Sequence, residues 1–113
     1  MRTFGRGDRV FAHPPVEGRW HVFSGPDEVL DMMHTGAQGV IAVVRDAGAT
    51  FLAPIFPDLT GVVCTGGTPR SHIGIVSREF QIPCVMACVL DDEPPNGALV
   101  QLDCSVEPGE VRA

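Results

Sequence analysis

Three short apolar runs most strongly constrain how this chain can fold. They cover residues 40–44, 61–64 and 84–89. Each run is continuous rather than alternating with polar residues, which is typical of a strand buried on both faces. Sheets with such strands are usually covered by helices, so the runs favour an α/β or α+β domain over an all-β one.

One helix is predicted between the start of the chain and the first apolar run. Ser24 is its expected N-cap, Pro26 suits its first turn, and Gly36 is expected to end it. Asp27 and Glu28 favour the positive end of the helix dipole. The chain therefore alternates between strands and helices rather than grouping them.

The remaining elements complete a mixed sheet. Residues 8–12 and 19–23 predict two strands, with Pro14-Pro15 and Gly18 as the break between them. A short helix is predicted within residues 51–59. A strand over 98–103 is followed by residues 110–112, which are expected to close a terminal hairpin. Together these elements indicate one α/β domain over residues 1–113, with helices packed on a mixed sheet.

Composition excludes several classes of partner. The 113 residues carry a net charge of −6, and this argues against nucleic acid. No apolar run reaches membrane-spanning length, and the N-terminus lacks the apolar core of a signal peptide. The four cysteines lack zinc-site spacing and are interpreted as small, buried, reduced thiols. The expected location is the cytoplasm, with no membrane contact.

Residues 66–80 carry the strongest functional signal. They join a glycine turn to a second predicted helix, which covers residues 71–81. Ser71 is its expected N-cap, and His72 lies in its first turn. Its apolar side is predicted to contain Ile73, Val76 and Phe80.

A histidine at this position can carry a phosphoryl group. The first N–H groups of a helix have no intrahelical partner, so a helix start attracts phosphate. A neutral imidazole is a nucleophile, so His72 could accept a phosphoryl group. The helix start would then stabilise the phosphorylated histidine in place. Gly66 and Gly67 are expected to let the backbone approach a phosphate closely.

The same segment resembles a known family. It is similar to the phosphohistidine, or swivelling, domain of phosphoenolpyruvate (PEP)-utilising enzymes such as pyruvate phosphate dikinase and phosphoenolpyruvate synthase. Their signature runs Gly-Gly, a short spacer, Ser/Thr/Cys-His, a small-residue helix ending Ala-Arg-Glu, then Gly-Ile-Pro-Ala-Val. The matching residues are Ser71-His72, Gly74-Ile75-Val76, Ser77-Arg78-Glu79-Phe80 and Gln81-Ile82-Pro83-Cys84-Val85. The likeness, with an upstream run at 53–57 and 61–63, covers about residues 50–103.

The chain departs from that signature near the histidine. Three residues separate Gly67 from Ser71, where the family usually has two. Arg70 replaces a common threonine, and its guanidinium could contact the phosphoryl group. Ser71 is expected either to donate to the phosphate or to cap the helix, and Thr50 to line the site from a preceding loop. Gln81 stands where the family has glycine.

The resemblance implies a compact three-layer β/β/α swivelling domain that acts as a phosphocarrier subunit. His72 would accept a phosphoryl group from an ATP-grasp or PEP-binding partner and relay it to an acceptor such as pyruvate or an organic hydroxyl compound. This chain alone would bind no cofactor, with ATP and magnesium on the partner. It would be part of a phosphotransferase rather than a complete enzyme, and Met1 favours a natural subunit over an excised piece.

Two other functions remain open from the sequence. The altered loop is compatible with a non-catalytic scaffold or interaction module that keeps the fold. The helix start and Arg70 are compatible with a domain that binds a small phosphometabolite. Only the carrier function requires a phosphorylatable His72.

Overall fold

Seven strands and two helices make up the protein. The computed structural model describes all residues, Met1–Ala113. The strands are β1 (Thr3–Arg9), β2 (His13–Val22), β3 (Val40–Val44), β4 (Gly61–Cys64), β5 (Cys84–Leu90), β6 (Leu99–Cys104) and β7 (Gly109–Arg112). The helices are α1 (Pro26–Thr35) and α2 (His72–Phe80), and a 3-10 turn covers Phe56–Asp58.

The strands close into a mixed barrel. Their order around it is β1-β5-β4-β3-β2-β6-β7, and β7 pairs with β1 to complete the ring. The adjacent strands β2, β3, β4 and β5 run parallel to one another. All the other pairs are antiparallel. The loops that follow the parallel strands therefore meet at one rim of the barrel, where open α/β sheets commonly bind ligands.

Strand β3 shows why the apolar runs are continuous. Ile41 and Val43 belong to a buried cluster built around Trp20. Val40, Ala42 and Val44 belong to a second cluster, which includes Val29 of α1 and Ile73 of α2. Successive side chains of a strand point to opposite faces, so β3 needs apolar residues at every position. The sheet thus separates a core inside the barrel from a core beneath the helices.

The predicted break at the prolines is wrong. Strand β2 runs through Pro14, Pro15 and Gly18, and the chain turns instead between Arg9 and His13. The register with β6 shifts between His13 and Val16, so the prolines occupy an irregular part of the ladder, which tolerates a missing N–H donor. A Cβ at Gly18 would lie 2.9 Å from the Gly39 carbonyl oxygen. This glycine marks a close approach within the sheet rather than its interruption.

Helix α1 lies where it was predicted, but its cap differs. Gly25 is the N-cap, with no side-chain cap hydrogen bond, and Pro26 is the first helical residue. The N–H of Ser24 donates to Glu28 Oε2 at 3.0 Å, so the predicted Ser24 cap is wrong. Gly36, with φ of +89°, ends the helix as expected. The predicted helix within residues 51–59 reduces to turns and the short 3-10 segment.

Strand β5 contains an unusual alanine. Ala87 has φ of +51°, in the left-handed region that L-residues other than glycine rarely adopt. The register between β1 and β5 shifts beside it, which marks a β-bulge. A Cβ at the facing Gly7 would lie 2.5 Å from the Met86 carbonyl oxygen. Gly7 therefore leaves room for the bulge.

The mixed α/β class predicted from the sequence is confirmed, with a sheet that closes into a barrel. The predicted terminal hairpin is also present, as the antiparallel pair of β6 and β7. Neither helix has the length and apolar character needed to cross a bilayer.

Candidate functional site

The loop between β4 and α2 lies at the rim formed by the parallel strands. It leaves β4 after Cys64 and enters α2 at His72. The loop after β3 lies beside it, because the N–H of Ile73 donates to the carbonyl oxygen of Ala47 at 3.0 Å. The predicted site residues His72, Ser71, Arg70, Gly67 and Gly66 all belong to the first loop or its junction with the helix.

Gly67 allows these two loops to touch. Its φ is +71°, and a Cβ there would lie 2.3 Å from the Cβ of Ala47 and 2.7 Å from Ser71 Oγ. No larger residue fits without movement of the loops. The carbonyl oxygen of Gly66 accepts a hydrogen bond from the N–H of Ala87 at 3.0 Å, which ties the turn to the bulge in β5. The close approach that these glycines permit in the structure is between backbone segments.

Ser71 begins the helix but does not cap it with its side chain. Its backbone is extended, as expected for an N-cap, yet its hydroxyl bonds no N–H of the helix. Ser71 Oγ instead accepts from the N–H of Thr68 at 2.9 Å, and the N–H of Ser71 donates to the Thr68 carbonyl oxygen at 2.9 Å. Ser71 is therefore the N-cap residue, as predicted, but its hydroxyl does not cap the helix. The hydroxyl hydrogen of Ser71 has no acceptor within the chain and remains available to a ligand.

The start of α2 has one exposed, free backbone donor. Ile73 uses its N–H on Ala47 and Gly74 is buried against the Pro69 backbone, but the N–H of the exposed His72 makes no hydrogen bond within the chain. Such an N–H group, together with the positive end of the helix dipole, favours an anion.

His72 is exposed, and its ring makes no hydrogen bond to the protein. It lines a cavity of about 200 Å³ that Thr50 also lines, so these two predicted residues lie in one place. Arg70 is exposed as well, and its backbone N–H donates to Thr68 Oγ1 at 3.1 Å. No carboxylate pairs with the Arg70 guanidinium, which leaves this cation free beside the helix start.

The cavity beside His72 was not predicted. Phe80 was expected on the buried side of the helix, but it is 48% exposed and its ring stacks on Phe56 with centroids 5.9 Å apart. Val76, one helical turn before Phe80, is partly buried. The spacing of His72, Val76 and Phe80 was the available signal, since residues four and eight positions apart share a helix face.

Arg45 was also missed. It follows β3 directly at the same rim, and its side chain is 76% exposed. The nearest carboxylate, that of Glu93, lies 3.8 Å away, which makes a weak exposed pair. A Cβ at Gly66 would lie 3.0 Å from the Arg45 carbonyl oxygen, so Arg45 borders the glycine turn. Its position after a buried strand was the signal in the sequence.

Two polar residues in the second half of α2 hold the helix in place. The buried Ser77 hydroxyl donates to the Ile73 carbonyl oxygen at 2.8 Å. The Arg78 guanidinium donates to the carbonyl oxygen of Val10, in the turn between β1 and β2. Arg78 forms no ion pair with Glu79, so its role is to anchor the helix to the barrel. This anchoring fixes the direction in which the helix start points.

The acidic turn after β5 makes ion pairs with arginines. Asp92 pairs with Arg2 at 3.1 Å, and Glu93 makes the contact with Arg45. No group of three or more histidine, cysteine, aspartate or glutamate side chains is arranged to hold a metal ion.

Comparison with known protein families connects this site to a family. Residues 36–106 match the PEP-utilising enzyme mobile domain. The matched segment runs from the end of α1 to just beyond β6, and it includes the glycine turn and all of α2. No curated protein matches the sequence. Because the match covers more than half of the chain, the protein belongs to the PEP-utilising enzyme mobile-domain family.

Proposed function

We propose that the protein is a phosphocarrier and that His72 carries the phosphoryl group. Family membership supports a carrier role in PEP-utilising enzymes. The observation that supports His72 is its position: an exposed, unpartnered imidazole at a helix start, where its own backbone N–H is also free. Phosphoryl transfer depends mainly on positioning and charge stabilisation, and these groups can supply both.

The chain's own groups have distinct roles in this proposal. A ring nitrogen of His72 attacks the phosphorus of the donor, so an N–P bond forms as the bond to the donor's leaving oxygen breaks. The N–H of His72, with the Ser71 hydroxyl, donates to the phosphoryl oxygens. The free Arg70 guanidinium balances their charge, and Thr50 lines the site from the opposite loop.

The donor and the acceptor are assigned to partner proteins. An ATP-grasp subunit or a PEP-binding subunit supplies the phosphoryl group, with ATP and magnesium on the partner, and the acceptor is pyruvate or an organic hydroxyl compound. The domain swivels between these sites in the cytoplasm as a three-layer β/β/α unit. Its two separate cores, one inside the barrel and one under the helices, are consistent with three layers.

Acid-labile labelling tests the carrier role. The chain is incubated with labelled ATP and a candidate ATP-grasp subunit, and in a second arm with labelled PEP and a candidate PEP-binding subunit. The expected result is a label that acid removes, that is absent from His72→Ala and present in His34→Ala. His34 is the matched control because it is also exposed and lies in a helix end. Label that persists in His72→Ala would rule out His72 as the carrier.

A second function rests on the same donors. The free N–H of His72 and Arg70 could hold a small phosphometabolite without covalent chemistry. Calorimetric titration with inorganic phosphate distinguishes this from the carrier. Tight binding by the chain alone, with no acid-labile label in either arm, would favour the binding domain. If neither binding nor label is found, a scaffold module becomes the better explanation.

A further inference from the structure

The turn that follows β3 is closed twice by Asp46. Its carbonyl oxygen accepts from the N–H of Ala49 at 3.1 Å, and its side-chain Oδ1 accepts from the N–H of Gly48 at 2.9 Å. A side-chain oxygen that bonds the N–H two residues further on forms an Asx turn. The carboxylate makes no ion pair, so the hydrogen bond to Gly48 is the contact through which this side chain acts.

Ala47, inside this turn, touches the candidate site at two points. Its carbonyl oxygen accepts from the N–H of Ile73 at 3.0 Å. Its methyl group lies against Gly67, where a Cβ would be only 2.3 Å from that of Ala47. Ile73 is the second residue of α2, so its N–H has no partner within the helix. The position of Ala47 therefore fixes the first turn of α2.

The start of α2 depends on this contact because no side chain caps the helix. A helix end whose first N–H groups lack partners is less stable than a capped one. The bond from Ile73 to Ala47 supplies one such partner, and it comes from a separate loop. His72 directly precedes Ile73, so a shift of this loop moves the imidazole and the free N–H of His72 together.

We propose that Asp46 is a positioning residue for phosphorylated His72. This inference rests on the carrier role of His72. The Asp46 side chain holds its turn in shape, and the turn keeps the Ala47 carbonyl oxygen on the N–H of Ile73. The helix start then presents the His72 N–H and the Ser71 hydroxyl to one phosphoryl group. Asp46 acts through this chain of contacts and makes no hydrogen bond to the histidine.

The hydrogen bond of Asp46, rather than its charge, is what positions the site. A carboxylate near a phosphoryl group disfavours the phosphorylated state, because like charges repel. Asparagine has the same Oδ1 acceptor without the charge and forms the same turn. Asp46→Asn therefore keeps the geometry, whereas Asp46→Ala removes it.

Hydrogen exchange of the whole chain, followed by amide NMR, tests the structural step. The Ile73 amide should exchange about threefold to tenfold faster in Asp46→Ala, the factor that corresponds to one net hydrogen bond. Asp46→Asn should exchange as the unmodified chain does. Asp58→Ala is the matched control, because Asp58 is also exposed and forms no ion pair. Unchanged exchange at Ile73 in Asp46→Ala would overturn the proposal.

The lifetime of the phosphoryl group tests the functional step. Phosphoramidate, a small phosphoryl donor, labels exposed histidines without any partner, and peptide mass spectrometry then follows the loss of label from each one. His34 is the reference inside the same molecule, because it is exposed and lies at the end of α1. The lifetime on His72 relative to that on His34 should fall about tenfold in Asp46→Ala, as expected for the loss of one hydrogen bond to a charged group. Asp46→Asn should restore the ratio.

The outcomes separate this inference from the carrier role. A chain that is labelled at His34 but not at His72 loses the carrier role, and the inference with it. A chain that is labelled at His72, with a lifetime ratio that Asp46→Ala leaves unchanged, keeps the carrier role and overturns the inference. A ratio that falls equally in Asp46→Ala and Asp46→Asn would assign the effect to the charge and would also overturn it.

Discussion

The N–H of Ala87 donates to the carbonyl oxygen of Gly66 at 3.0 Å, so a bulge in β5 holds the turn that leads to His72. Ala87 has a positive φ of 51°. An alanine in this conformation costs about 1 kcal/mol relative to a favourable one. The barrel therefore contains local strain directly beneath the candidate site.

Replacing Ala87 by glycine is expected to stabilise the protein by about 1 kcal/mol, because glycine adopts a positive φ without a steric cost. The measurement is the free energy of unfolding in urea. Gln81→Gly is the informative comparison, since Gln81 also has a positive φ, of 56°, but its side-chain amide donates to the Arg78 carbonyl oxygen at 2.7 Å. Its gain should be smaller, because that hydrogen bond is lost. A larger gain from Gln81→Gly would contradict this explanation.

Replacing Gly67 by alanine is expected to destabilise the protein by about 1–3 kcal/mol, because it combines a strained φ with a steric clash. The new Cβ would lie 2.3 Å from that of Ala47. Urea unfolding measures the loss, and amide NMR should show the largest shifts in the loops around residues 45–50 and 65–71. Gly48→Ala is the control, since its Cβ would meet only Asp46 Oδ1, at an ordinary 3.5 Å. Similar losses in both variants would show that the contact with Ala47 is unimportant.

Acid should weaken the seam between β6 and β7. Hydrogen bonds from Ser105, followed by Arg112, lower the pKa of Asp103 below its ordinary 3.8. Arg112 first, and then Arg6, lowers the pKa of Glu110 below its ordinary 4.5. The stabilisation is therefore complete above these ordinary values and is lost as pH falls through the lower pKa values of the folded protein.

The measurement for the acid prediction is the free energy of unfolding at pH 7 and at pH 3. We expect Arg112→Gln to be less stable at pH 7 and to lose less stability on going to pH 3. Arg2→Gln, which removes a pair in which both side chains are more than half exposed, should change the stability at pH 7 by less than about 1 kcal/mol. An unchanged pH dependence in Arg112→Gln would contradict the assignment to this seam.

The four cysteines should be unreactive in the folded protein. Burial raises the pKa of Cys84 and of Cys104 to about 12 and that of Cys88 to about 11, and it also raises the pKa of Cys64. Since the thiolate is the reactive form, a disulfide reagent at pH 8 should label none of them rapidly, and all four after denaturation. One thiol that reacts at the rate of a free cysteine would contradict this. The raised values also predict that stability falls as pH rises above about 9, because the unfolded thiols lose protons first.

The sequence was most informative where one physical requirement dominated. A strand between two cores needs continuous apolar residues, so β3 and β4 were predicted with their observed ends. The end of α1 at Gly36 was also predicted correctly, because glycine commonly terminates a helix. Prolines were misleading, because Pro14 and Pro15 lie at an irregularity in pairing between strands distant in sequence, and local propensity does not report that.

The site was predicted less completely than the fold. Its linear part, from Gly66 to His72, was predicted from adjacent residues, and the structure places these residues in the loop that leads into α2. The direction of the Ser71 hydroxyl depends on the turn with Thr68, and the position of Ala47 depends on tertiary contact between loops. The cavity beside His72 likewise needs two segments to come together, so the helix pattern alone placed Phe80 in the core.

The closed ring of strands limits how another protein chain can associate with this domain. Because β7 pairs with β1, every strand has a neighbour on both sides, and no row of unpaired backbone groups is offered to a passing chain. Nonspecific association by strand addition is thereby suppressed. Any protein contact must then be made by side chains and loops rather than by strand addition, which removes one common route to aggregation through a sheet.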